Sequence, residues 1–355
     1  MNARKDKVIR STDVDALSSR YFAVKKDYID DPYMDIMVDG LKELLPFTSN
    51  INFSISRNLK SAFETPKLPA INRGTYIRTK SIDLVVEQFL RKFKEEPEVQ
   101  VVSIGAGSDT RPFKFLSLYS NLKYFEYDFV ESVKIKKAII LRNKELSSIV
   151  KFQNLNDVEK DFSNYQEFLR YDENLFTPNY NLCPIDLRLL GDKYNINSLQ
   201  NLNPNIPTLI LGECVLCYME PLDANQVIKF FHDNLNKSSI LLYEPIGGDD
   251  NFGNVMVKNL SSRGISLPNL MHYNTLEKQF ERFTKELKIE NLQIADMNFV
   301  LNNWIDGDEL NRINHLEFLD EVEEIVLMNK HYCLILAQWG DLNFKPIQKF
   351  QLVHE

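Results

Sequence analysis

The chain predicts a doubly wound α/β fold, a largely parallel sheet with helices on both faces, on three observations. Short apolar runs rich in β-branched residues recur along it, each run ends on a glycine or an acid, and stretches of helical period separate the runs. Strands that close on polar residues also imply one shared edge, the place where an open α/β sheet binds its ligand.

The elements follow in chain order. Apolar residues at Val14, Leu17, Tyr21, Val24 and Tyr28 step by three and four, which predicts an amphipathic helix capped by Thr12 or Ser11. A more broken segment runs from Leu41 to Phe63, and Pro66 to Pro69 with Asn72-Arg73-Gly74 reads as a loop feeding a helix from Tyr76 to Phe93. Residues 1–94 are thus expected to form a helical N-terminal segment or lid, and 95–355 the core. The pattern changes at Val99 to Ile104, a buried strand that meets the glycine turn Gly105-Ala106-Gly107-Ser108-Asp109. Leu122 to Asp128, Thr208 to Glu213 and Ser239 to Glu244 likewise read as strands ending in an acid, with helical stretches at Glu131 to Lys144 and Leu222 to Leu235. An insertion is expected from about Pro245 to Glu290, and Leu292 to Val300 with Tyr332 to Trp339 as a terminal hairpin.

Composition removes several function classes. With 44% hydrophobic and 26% charged residues in 355, most of the chain should pack into a core. A formal charge of −8 disfavours binding that rests on neutralising nucleic-acid phosphates or anionic lipids. Four cysteines are too few for a disulfide scaffold, and Met1 to Tyr21 lacks an apolar signal region, so the cytoplasm, with the nucleus, is the expected compartment. No apolar run reaches membrane-spanning length. Cys214-x-x-Cys217 has no second pair, and the five histidines are scattered, so packing thiols are expected rather than a metal or redox site. The marks of serine hydrolysis, zinc proteolysis and P-loop phosphoryl transfer do not occur.

The chemistry gathers at the strand ends. Gly105-x-Gly107 after a strand lets backbone N–H groups approach a ligand, but Thr110 stands where a dinucleotide fingerprint has its third glycine. Asp128 lies 21 residues past Gly107 and can accept from both hydroxyls of a ribose, as nicotinamide, flavin and S-adenosylmethionine cofactors all require. Asp186 with Leu187 can offer a carboxylate and an apolar neighbour to an adenine. Glu213 closes a buried strand and needs a partner, for which an ammonium-bearing ligand is suited. Arg20 and Arg78 read either as surface charges on packed stems or as partners of a carboxylate. Composition and periodicity alone stop at a nucleotide-binding α/β protein.

Together these stretches resemble the leucine carboxyl methyltransferase family. The resemblance is carried in order by DALSSRYFAV (15–24), INRGTYIRT (71–79), VVSIGAGSD (101–109), YFEYD (124–128), ECVLCYM (213–219), FGNVMVKNL (252–260) and the FLDE and HYCL words of 316–339. It implies a Rossmann-like, S-adenosylmethionine-dependent methyltransferase acting on the C-terminal leucine of the protein phosphatase 2A catalytic subunit. It further implies that Arg78 binds the cofactor carboxylate, that Gly105 and Gly107 line its path and that Asp128 holds the ribose. Asp186 and Leu187 would hold the adenine, Glu213 would lie near the amino-acid end, and Arg20 would stand where the family often shows lysine. Tyr218 is the candidate for orienting the acceptor. An α-carboxylate has a pKa of about 3.3–3.7 and is already a nucleophile at neutral pH, so no catalytic histidine or cysteine is required. The expected partner is the phosphatase tail, with no nucleic acid and no membrane, and the expected state is a monomer. The rivals are a tRNA wybutosine-type carboxyl methyltransferase, a nicotinamide-dependent oxidoreductase and a non-catalytic binder of the phosphatase tail.

Overall fold

The computed structural model describes residues 3–49, 52–153, 162–320 and 322–354. Four helices open the chain: α1 (Ala3–Lys25), α2 (Met34–Leu44), α3 (Asn52–Glu64) and α4 (Pro69–Lys92). The sheet begins with β1 (Val99–Ile104), followed by α5 (Arg111–Leu118), β2 (Leu122–Asp128), α6 (Val130–Arg142), α7 (Lys144–Ile149) and α8 (Tyr165–Arg170). Then come β3 (Leu175–Phe176), β4 (Tyr180–Pro184), β5 (Thr208–Glu213), α9 (Pro221–Asn234) and β6 (Ser238–Pro245). Three helices follow, α10 (Asn251–Ser262), α11 (Pro268–His272) and α12 (Leu276–Glu281), and after them β7 (Asn291–Asp296). Last are α13 (Met297–Trp304), α14 (Gly307–Asn314), α15 (Val322–Lys330), β8 (Tyr332–Trp339) and β9 (Leu352–His354).

The strands form one mixed sheet in the order β3-β4-β2-β1-β5-β6-β8-β7-β9. β4, β2, β1, β5 and β6 run parallel, as crossover helices require, while β8, β7, β9 and the short β3 pair antiparallel. From β1 the chain goes first to β2 on one side and later to β5 on the other, so the switch point lies between the ends of β1 and β5. The period of two along each strand divides the core between the two faces. Val99 and Val101 of β1 join Leu209 and Leu211 of β5 in one apolar cluster, with α1, α2, α4 and α6 over them. Val102, Ile104 and Ile210 point into the other cluster, covered by Val227, Ile228 and Phe231 of α9.

Three local expectations are corrected. The first helix starts at Ala3, so Ser11 and Thr12 are interior residues whose hydroxyls bond back to the carbonyls of Val8 and Ile9 at 2.6 and 2.7 Å. Asn72-Arg73-Gly74 is helix rather than loop. α4 begins at Pro69, where proline suits the first turn, and buried Asn72 donates to Glu317 at 2.8 Å, a tertiary partner with no local signal. The two arms of the expected terminal hairpin do pair antiparallel as β7 and β8, but α13, α14 and α15 lie between them in the chain, so they are not a hairpin, and the first arm ends at Asp296. That side chain accepts from Phe299 N at 2.7 Å and starts α13. Among the described residues no helix is long and apolar enough to cross a membrane.

Candidate active site

Strand register brings the predicted residues to one edge. Ile104 pairs with both Tyr127 and Gly212, and Asp128 with Pro184, so Gly105, Asp128, Ile185 and Glu213 end side by side. A cavity of about 700 Å³ lies over this edge, with α1 and α4 on its other walls. Every site residue singled out from the sequence borders it.

The glycine turn forms the floor. Gly105 and Gly107 have φ of +63° and +49°, and a Cβ there would sit 2.5 Å from the Val215 side chain and 2.3 Å from the Asp13 carboxylate. Asp128 braces the turn by accepting from Gly107 N at 2.7 Å and Phe129 N at 2.6 Å. Each of its oxygens keeps lone-pair capacity for another donor. Burial pushes its carboxyl up to about 6, because two backbone N–H groups offset only part of the desolvation. Asp13 of α1 accepts from Ser108 N and Oγ at 2.8 and 2.6 Å, and burial raises its carboxyl as well. Sequence reading missed Asp13, which on the helix surface carries no signal of its own.

At the β4 end, Asp186 caps a short 3₁₀ turn, Leu187–Leu189, by accepting from Arg188 N at 3.1 Å. Arg188 also grips both Asp186 oxygens, at 2.8 and 2.7 Å, and reaches Asp6 of α1 at 2.8 Å. Burial alone would raise the Asp186 carboxyl, but Arg188 outweighs it and holds it below the usual range. Leu187 is buried against the α9 face of the sheet.

At the β5 end the charges are dense. Glu213 accepts from Arg78 Nε with one oxygen and from Arg111 Nη1 at 2.6 Å with the other. Burial would raise its carboxyl, and the Arg111 and Arg78 guanidiniums turn that into a lowering. Arg111, 2% exposed, also donates to Asp83 of α4 at 2.6 Å and to Asp109 at 3.0 Å. Arg20 bonds Asp109 at 2.9 Å and Asp31 at 3.1 Å, so in this structure its guanidinium meets carboxylates of its own chain. The Arg78 guanidinium also lies 5.0 Å from the centre of the Tyr243 ring. Arg111 escaped the sequence reading although the polar run Asp109-Thr110-Arg111, opening a helix straight after the glycine turn, was a usable hint.

The remaining wall lies toward β6 and β8. Tyr218, at the end of the 3₁₀ turn Leu216–Tyr218, has Thr12 of α1 as a hydrogen-bond partner, and burial pushes its phenol well above the usual value, so it stays an O–H donor. Tyr332 of β8 stacks on Tyr243 at 5.2 Å and 10°, and Leu260 and Arg263 arrive from the end of α10. Cys214 borders the cavity in a left-handed conformation (φ +54°), and Cys217 is buried; both are free thiols.

The cavity therefore offers a cation and an anion side by side, a carboxylate open to hydroxyls, a strap beside β4, and space for a further group near Tyr218. Among the described residues no cluster of histidine, cysteine, aspartate or glutamate could hold a metal ion.

Residues 8–232 match the family described as leucine carboxyl methyltransferase. The chain is 40% identical over 369 residues to leucine carboxyl methyltransferase 1 of Debaryomyces hansenii, covering 99% of this chain and 98% of that one. It is 41% identical over 346 residues to the Yarrowia lipolytica protein of the same name, covering 95% and 98%. Among solved structures it is similar to a duf574 family protein from Streptomyces avermitilis, at 11% identity and a TM-score of 0.48, covering 85% and 97%.

Proposed function

This chain belongs to the leucine carboxyl methyltransferase family, and from that premise we propose that it methylates the α-carboxylate of a C-terminal leucine, with S-adenosylmethionine as donor and the catalytic subunit of protein phosphatase 2A as acceptor. The observation that carries the reading is the Arg78–Glu213 pair at one end of a cavity whose floor holds Asp128. An amino-acid zwitterion complements such a pair. Glu213 would take its ammonium and Arg78 its carboxylate, so that no buried charge loses its partner when the internal ion pair opens. Asp128 would accept from the ribose hydroxyls, and Asp186 and Leu187 would hold the adenine amino group and ring. The missing side chains of Gly105 and Gly107 let Val215 and Asp13 close in on the turn, whose N–H groups at Gly105, Gly107 and Ser108 are already bonded to Tyr127, Asp128 and Asp13, so the turn would shape the cavity floor rather than offer free N–H donors.

When bound, the sulfonium supplies an electrophilic methyl group to the acceptor oxygen and is left as a neutral thioether. An α-carboxylate is ionised at neutral pH, so no side chain has to take a proton, and what the chain contributes is alignment and exclusion of water. α1 serves the second task as a roof bonded to the turn through Asp13 and to the β4 strap through Asp6. The Tyr218 hydroxyl, kept protonated by burial, would turn from Thr12 to orient one acceptor oxygen.

The test is transfer of labelled methyl to purified phosphatase 2A catalytic subunit, with and without its terminal leucine. Base-labile label on the intact subunit alone is expected. Equal label on the truncated subunit, or none despite measured donor binding, would refute the reading.

A further inference from the structure

The cavity's contacts divide along the sheet. The residues assigned to the methyl donor end β1, β2, β4 and β5 or face them from α4, whereas Leu260, Arg263 and Tyr332 border the cavity from the side of β6 and β8. On the reading proposed above, that second side is where the acceptor lies. With Tyr218 it has Leu260 and Arg263 from the α10 end, and α10 is a poorly buried helix: Gly253 is its one buried residue among those described. A small cluster with Ile265, Leu267 and Leu270 touches it only through partly buried side chains.

Its ends are held by charged groups. At the far end Arg263 pairs with Asp15 of α1. At the near end Asp250 caps the helix, accepting from Gly253 N at 2.7 Å, and both its oxygens lie 2.9 Å from His331 Nε2. His331 is 2% exposed, and its Nδ1 lies 2.7 Å from the Leu327 carbonyl oxygen. Each ring nitrogen thus faces an oxygen. Further contacts fix the ring's place: Phe252 packs 4.4 Å from it, and a Cβ on Gly247 would come within 2.7 Å of its Cδ2. The His331 carbonyl accepts from Ile246 N at 2.9 Å, and the next residue is Tyr332.

We propose that His331 is a positioning residue: by gripping Asp250 it seats α10 against the β8 end of the sheet and so sets the acceptor-side wall of the cavity formed by Leu260, Arg263 and Tyr332. It touches neither donor nor acceptor and acts through the helix it anchors. The inference rests on the proposed function, and one set of assays separates the two.

The experiment measures methyl transfer to the phosphatase 2A catalytic subunit, donor Kd by calorimetry, and Tm, for the wild type, His331→Asn, His331→Gln, Asp250→Ser and the Asn/Ser double variant. Asparagine is too short to reach Asp250, and its acceptor KM should rise about tenfold while donor Kd stays within about twofold. Glutamine, which can carry a donor near the Nε2 position, should restore most of that loss. The double variant should be no worse than the worse single one, because both substitutions break the same contact. Should His331→Asn fail to fold, Asp250→Ser, whose hydroxyl still caps Gly253 N but is too short to reach His331, is read in the same way. A lowered Tm with unchanged acceptor KM, or equal losses in donor Kd and acceptor KM, would show a merely structural role and overturn the proposal. Absence of transfer by the wild type would instead remove the reading beneath it.

Discussion

Asp128 and Glu213 close neighbouring parts of the same sheet edge, yet the protein treats the two carboxylates in opposite ways. Asp128 is braced by two backbone N–H groups and burial lifts it to about 6, whereas Glu213 sits between two guanidiniums and is held below its usual range. The difference matches the two ends of the proposed donor. Hydroxyl groups need an acceptor with spare lone pairs, and an ammonium needs a permanent anion whose own partner can be shared. On the proposed reading, one cavity thereby distinguishes the two ends of the donor by how each carboxylate is held.

The comparison breaks most severely at Glu213. Glu213→Gln leaves Arg78 and the buried Arg111 facing an amide, so donor Kd should rise about a hundredfold and Tm should fall, both readable in one calorimetric study. Asp128→Asn should weaken donor binding about tenfold, and pH sharpens the contrast. In the wild type, affinity should decline as pH falls through about 6, where Asp128 takes up a proton, while the Glu213 end stays charged. The variant should lack that acid limb. Stability of the ligand-free protein runs the other way. A carboxyl raised above its unfolded value of about 3.9 favours the fold at low pH, and that contribution is lost as pH rises through about 6. Asparagine can replace only one of the two acceptor oxygens, so ligand-free Asp128→Asn should lose Tm relative to the wild type, and lose less of it at pH 8 than at pH 4, as thermal scans at the two pH values can check.

Smaller effects lie away from this pair. Tyr218→Phe should lower kcat about fivefold with donor Kd nearly unchanged, as expected for one neutral hydrogen bond to the acceptor. Unchanged kcat in steady-state assays would remove Tyr218 from the mechanism. Arg188→Met frees Asp186 from its clamp and should weaken donor binding only about threefold, since Asp186 remains in place as cap of its turn. A tenfold loss by calorimetry would instead make Arg188 a donor contact.

Much of the edge was legible because its signals are local. β1, β2 and β5 have the bounds that their apolar runs and terminal glycine or acid imply, and those bounds alone align Gly105, Asp128 and Glu213. What stayed hidden depends on partners far along the chain. Asn72 looks like a turn residue until Glu317 is beside it, and Asp13 is one more helix acid until it meets Ser108. Arg111 reads as an ordinary helix-start cation although it collects Asp83, Asp109 and Glu213. Edge pairing by β3 and β9 follows from tertiary placement that two- and three-residue strands cannot announce. The left-handed backbone of Cys214 has no sequence mark either, since it is held by the turn from β5 into the 3₁₀ segment.

That cysteine has a consequence for how the protein meets its chemical surroundings. Burial pushes the Cys214 thiol up to about 12 and raises Cys217 well above the usual value, even with Arg78 close by. At neutral pH the Cys214 thiol stays protonated. Alkylating reagents and mild peroxide attack thiolates, so a sulfur on the wall of the cavity should survive exposure that silences enzymes with acidic cysteines.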